Sequence, residues 1–129
     1  MCIRDRLHTL KAAGCQLTAI PEWIGELARL KHLEMPNNMI KVIPNNIEKL
    51  SQLKYLDVSF NALTRVPKVI AQLTQLKTLL LYSNQLQVLP PGLFHHNPNL
   101  ELDSCFNPWL FKDIPPKTCL LYTSPSPRD

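Results

Sequence analysis

No stretch of this 129-residue chain approaches the roughly 20 consecutive apolar residues that a membrane-crossing helix needs, so no such span is expected. Glycine is scarce: there are three, scattered, and none belongs to a phosphate-cradling loop. That scarcity, beside twelve prolines, also argues against a succession of tight hairpins, whose turns need residues free to take positive φ. Charge of one sign is equally limited. With 14 basic against 10 acidic residues the formal charge is +4, far from the clustered excess of a dedicated nucleic-acid binder. His95 and His96 lie near Cys105, but a metal site would need further ligands at fitting spacing, so no metal or cofactor is expected. What remains is a chain 45% hydrophobic, long enough for one domain with a buried core.

That hydrophobic content is periodic. Asn38, Asn61, Asn84 and Asn107 recur every 23 residues, and Cys15 continues the series upstream. Pro21, Pro44, Pro67 and Pro90 keep the same interval. Ile20, Ile43, Val66 and Leu89 stand before those prolines, and Ile24, Ile47, Ile70 and Leu93 three residues after them. Four columns in one register define the unit. Leu53 to Gln75 follows the template LxxLxLxxNxLxxVPxxIxxLxx with Val58 in the sixth place, and the units starting at Leu7, Leu30 and Leu76 follow it too.

Each unit is expected to open as a strand, with Leu56 and Val58 on an apolar face and Tyr55, Asp57 and Ser59 on a polar one. After the asparagine the apolar spacing widens to three or four, which predicts a tight turn and a short helical or 3-10 return, with Pro67 in its first turn. A lone unit of this kind does not fold. Burying about seven apolar side chains contributes roughly 10 to 20 kcal/mol, whereas ordering each residue costs about 1 to 2 kcal/mol. Stacked copies share their apolar faces, and each asparagine is placed to bond backbone groups left open at the turn. Cys15 offers only a weaker S–H donor.

These columns resemble the leucine-rich repeat family, and the 23-residue unit with its PxxIxxL return is similar to that of its intracellular Ras-group and plant members. The resemblance covers Leu7 to about Trp109. It implies an α/β solenoid with a concave parallel β-sheet, short helical or 3-10 returns on the convex side, binding of a protein partner, and no catalysis. Four full units, starting at 7, 30, 53 and 76, and a partial fifth near 99 fill residues 7–110, followed by an extension over 111–118. The fifth is irregular: His96 takes the place of Leu27, Leu50 and Leu73, and Leu100 falls one residue late while Asn107 stays in frame. A terminal, atypical repeat or an assembly indel both fit this. NPW is similar to the start of the cysteine-rich caps of extracellular members, but no cysteine follows at near spacing, so no disulfide-bonded cap is expected.

The two ends read differently. One coding of Met1 to Asp5, ATGTGTATAAGAGACAG, has a reverse complement that, entered at its second base, encodes Cys119 to Thr123. The pair resembles a transposase end used in sequencing libraries, so residues 1–6 and 119–129 are expected to be adapter-derived and are set aside. On that reading Met1 is no natural start, SPSP is no phosphorylation site, and the repeats carry +3 once Arg4, Arg6, Arg128, Asp5 and Asp129 are removed. Cys15 and Cys105 are then too few for a disulfide framework, which points to a reducing, cytoplasmic setting.

Outward strand positions line up as columns with neighbouring strands about 4.8 Å apart. One column is Thr9, His32, Tyr55, Thr78; the next is Lys11, Glu34, Asp57, Leu80, with Asp103 if the fifth unit keeps its frame. Asn37, Phe60, Ser83 and Phe106 follow. Tyr55, Phe60, Leu80, Tyr82 and Phe106 give an aromatic and apolar patch beside carboxylates, the composition of a binding hot spot; packing of the aromatics on one another is the plainer alternative. The candidate partner-binding residues are thus His32, Glu34, Tyr55, Asp57, Phe60, Thr78, Leu80, Tyr82 and Phe106. Lys31, Lys54 and Lys77, each one residue ahead of the first column, form a basic rim that either steers an acidic partner or is a solvated edge. Strand spacing limits the patch to about 300 Å², against about 800 Å² per partner in a stable interface. The segment is therefore expected to belong to a longer solenoid or to use an edge as well.

Glu34 and Asp57, on neighbouring strands, lie at a spacing of about 5 Å that can serve glycoside hydrolysis, but an open face has no pocket to tune them. The leading reading is a non-catalytic scaffold module in intracellular signalling. Its rival is the sensor arm of a larger receptor kinase or ubiquitin ligase. Nucleic-acid binding through the lysines and aromatics is a third and weaker reading, and no small-molecule substrate is expected.

Overall fold

The structure, a computed structural model, describes residues 8–90, 92–93 and 97–108. Within them five three-residue strands form one parallel sheet in chain order: β1 (Thr9–Lys11), β2 (His32–Glu34), β3 (Tyr55–Asp57), β4 (Thr78–Leu80) and β5 (Glu101–Asp103). Register follows the 23-residue columns, with Thr9, His32, Tyr55, Thr78 and Glu101 in one row and Lys11, Glu34, Asp57, Leu80 and Asp103 in another. The fifth unit keeps its strand frame.

Returns at Glu22–Glu26, Asn45–Lys49 and Lys68–Gln72 are 3-10 helices. Their choice over the α-helix follows from the apolar step. Ile24, Leu27, Leu30 and Leu33 recur every three residues and all four are fully buried, which matches the eclipsed i, i+3 side chains of a 3-10 turn. The i to i+3 bonds run the length of the connection, from Ile24 N to the Pro21 carbonyl, Leu27 N to Ile24 and Leu30 N to Leu27. Pro21, Pro44 and Pro67 sit at the cap, one residue earlier than expected, in extended backbone, and their carbonyls accept the first bond.

The core is a stack of these steps between sheet and returns, from Ile20 to Leu102. The asparagines bind it together. Nδ2 of Asn61 donates to the Val58 and Ser59 carbonyls of its own turn and to Met35 of the preceding unit, while its Oδ1 accepts from Ile40 N. Asn38, Asn84 and Asn107 repeat the pattern. In the first unit the Cys15 side chain, in place of the asparagine, bonds from Sγ to the Ala13 carbonyl, while its backbone N donates to Asn38 Oδ1.

Two expectations change. Ser59 is fully buried and Asp57 is 8% exposed, so the polar face of β3 does not simply face outward. Cys15 is free, as expected, but Cys105 is disulfide-bonded. Its partner is not among the described residues, and the expectation of no disulfide does not hold. The remaining cysteines are Cys2 and Cys119, and a disulfide at Cys105 removes the inference to a reducing setting that was drawn from the cysteine count. Leu7, His95, His96, Trp109 and the 111–118 extension lie outside the described residues.

Candidate functional site

Strand register builds the outward face of the sheet. The parallel pairing of β2 with β3 sets His32 beside Tyr55, and their rings stack at 4.1 Å with planes 4° apart. His32 Nε2 is hydrogen-bonded to Glu34 Oε2, two residues along the same strand face. Burial first, and then the charges of Asp57, Glu34 and Tyr82, raise the pKa of the Tyr55 phenol above its usual value. Tyr55 therefore stays a protonated donor throughout the neutral range, at the centre of an acidic surround.

Past the strands, a second ring pair forms where Phe60 meets Tyr82 edge to face, 5.1 Å between centroids. Phe60 lies in a column with Gly14, Asn37, Ser83 and Phe106, and all five have φ between 54° and 66°. The turn after each strand thus needs left-handed backbone, which glycine and asparagine adopt readily and a bulky residue adopts at about 1 to 2 kcal/mol. Phe60 and Phe106 are nevertheless 46% and 70% exposed, so the solvophobic cost adds to the backbone cost with little burial in return. Phe60→Asn should accordingly leave stability unchanged or raise it by up to about 1 kcal/mol, after loss of an aromatic pair worth about 0.5 to 1.5 kcal/mol. The same variant should bind the protein partner about tenfold more weakly. Urea melts and titration of the partner check the two halves.

Of the residues singled out in the sequence, the structure brings His32, Glu34, Tyr55, Thr78 and Leu80 onto one half-buried surface, with Phe60, Tyr82 and Phe106 along its turn edge. Asp57 is a correction. Its Oδ1 accepts from both N and Oγ of Ser59, at 3.0 and 2.6 Å, so the carboxylate is buried holding its own turn. Glu34 is engaged by His32, and the two carboxylates do not form an acid–base pair despite being neighbours in register. Lys31, Lys54 and Lys77 are exposed in a row, linked through their backbones. Sequence reasoning missed Glu101, which extends the Thr78 row and lies 23 residues beyond it. It also missed Ser59, whose signal was a hydroxyl two residues after an aspartate.

Among the described residues no helix is long and apolar enough to cross a membrane, and no cluster of His, Cys, Asp and Glu is suited to a metal ion.

A solenoid of parallel three-residue strands, asparagine-linked turns and 3-10 returns defines the class of protein. The model of the leucine-rich repeat region matches residues 5–97, and the chain belongs to the leucine-rich repeat family. Among curated protein sequences none matches. Among solved structures, the chain is similar to a chain of the Drosophila Toll–Spatzle complex at 25% identity and a TM-score of 0.68, covering 80% of this chain and 14% of that one. It is similar to the Leptospira interrogans leucine-rich repeat protein LIC12759 at 26% identity and a TM-score of 0.65, covering 81% and 33%. The leucine-rich repeat ectodomain of the Arabidopsis thaliana receptor kinase SOBIR1 is similar at 30% identity and a TM-score of 0.65, covering 76% and 55%. The chain thus spans between about a seventh and just over half of these relatives. The fold generally mediates contact between proteins, and its repeats are typically non-catalytic.

Proposed function

We propose that this chain is a non-catalytic module that holds a protein partner against the outward face of its sheet, with Tyr55, Phe60, Leu80 and Tyr82 as anchors and His32, Glu34 and Thr78 setting specificity. The observation that carries this reading is the pair of exposed phenylalanines kept in left-handed turns, where a smaller residue would serve folding better. The work envisaged is that of a cytoplasmic signalling scaffold, a setting supported by the 23-residue PxxIxxL unit. The likeness to a receptor-kinase ectodomain favours a second reading, the sensor arm of a larger receptor; sequence flanking the repeats separates the two.

Site-specific photocrosslinking tests the surface. A crosslinker at Thr78, on the outward face of β4, should give a partner adduct, and one at Gln72, in the third return, should give none. Adducts from Gln72 alone would overturn the proposal.

A further inference from the structure

Strand β4 puts no charge on the outward face of the sheet. Its outward residues Thr78 and Leu80 are flanked, by register, by Tyr55 and Asp57 of β3 and by Glu101 and Asp103 of β5. Those two strands lie two strand spacings apart, roughly 10 Å, which leaves room for one side chain laid over β4. The slot has one aromatic wall. His32 stacks on Tyr55 from the β2 side, so the ring face that remains is the one turned to β4.

The charge of the slot is negative and unbalanced. Asp57 uses a single oxygen, Oδ1, for both Ser59 bonds; its Oδ2 makes none among the described residues and is not sealed from solvent. Asp103 has a similar arrangement, its Oδ1 accepting from Cys105 N at 3.4 Å. Among the described residues no lysine or arginine pairs with Asp57, Glu101 or Asp103. Lys11 shares the Asp57 row but stands two strands away on β1. Asp57 is only 8% exposed, and a carboxylate so far withdrawn from water is costly without a counter-ion. Asparagine would keep the Oδ1 acceptor that the turn needs and carry no charge, so folding alone does not explain the aspartate.

We propose, on the reading that this face holds the partner, that the slot over β4 takes an arginine side chain of that partner. The arginine stem lies on Leu80, and the guanidinium stacks on the open face of Tyr55 while donating to Asp57 on one side and to Glu101 or Asp103 on the other. Arginine fits better than lysine, because only a planar cation both stacks on a ring and forks between carboxylates.

Short random peptides displayed on phage, selected on the full chain and in parallel on its Asp57→Asn/Asp103→Asn variant, test this. Both amides keep Oδ1 for the turn, and circular dichroism confirms that the variant is folded. Arginine should be enriched among peptides selected on the parent and not among those selected on the variant. Replacing that arginine by citrulline should weaken binding to the parent about thirtyfold or more and leave binding to the variant nearly unchanged, the coupling expected of a direct pair. Peptides that lose binding on Tyr55→Ala/Tyr82→Ala yet carry no arginine would overturn the arginine slot and leave the binding surface standing. Peptides held as tightly by that double tyrosine variant would overturn both. An equal citrulline loss on parent and on Asp57→Asn/Asp103→Asn, or no enriched peptide at all, would likewise overturn the slot.

Discussion

Asn84→Ala should lose about 2 to 4 kcal/mol of folding stability in urea denaturation. Asn84 is 3% exposed, and its side chain serves two units at once. Its Oδ1 is the acceptor for Leu63 N, and its Nδ2 reaches the carbonyls of Val58, Leu81 and Tyr82. The carbonyls are shared: Asn61 also donates to Val58, Asn107 to Leu81, and Phe60 N to Tyr82, so each keeps a donor. Leu63 N is the group left without the partner it had. An orphaned buried N–H costs about 1 to 3 kcal/mol, and the weakened carbonyl bonds add to it. Because a solenoid is held by contacts between neighbours, the loss falls on the interface between the third and fourth units. A change under about 0.5 kcal/mol, the range of ordinary surface substitutions, would contradict this account of the asparagine ladder.

Much of that ladder was legible beforehand. Asn38, Asn61, Asn84 and Asn107 stand at one interval, and the register that places His32 beside Tyr55 and Glu34 beside Asp57 follows from it. Repetition makes such columns visible, since any chemical requirement of one unit recurs in the next. What did not recur was harder to see. Asp57 looks outward by alternation, yet Ser59 two residues later draws its carboxylate into the turn. Phe60 reads as an exposed aromatic, but polarity says nothing of the positive φ that its position demands. The 3-10 form of the returns was half visible in the step from Ile24 to Leu27 to Leu30, obscured by the four-residue step from Val66 to Ile70. At the fifth unit, counting from the conserved interval placed His96 where the backbone bonds place Asn97, because an insertion and a deletion cancel in the total length.

Tyr55→Ala/Tyr82→Ala should reduce affinity for the protein partner by about a thousandfold, since buried aromatic anchors are worth about 2 kcal/mol each on truncation. The fold should survive. Both side chains are half-buried, outside the leucine core, and each loses one ring contact, to His32 or to Phe60. Those contacts are worth about 0.5 to 1.5 kcal/mol apiece, well below the loss that unfolds a typical domain. Gln72→Ala, on an exposed position of the third return, serves as the control.

Partner affinity measured on these three chains, parent, Tyr55→Ala/Tyr82→Ala and Gln72→Ala, with circular dichroism confirming that each is folded, is the most direct test of the binding surface. The account predicts loss in the double variant alone. A folded double variant that binds as tightly as the parent would contradict it, and would move the interface off the sheet.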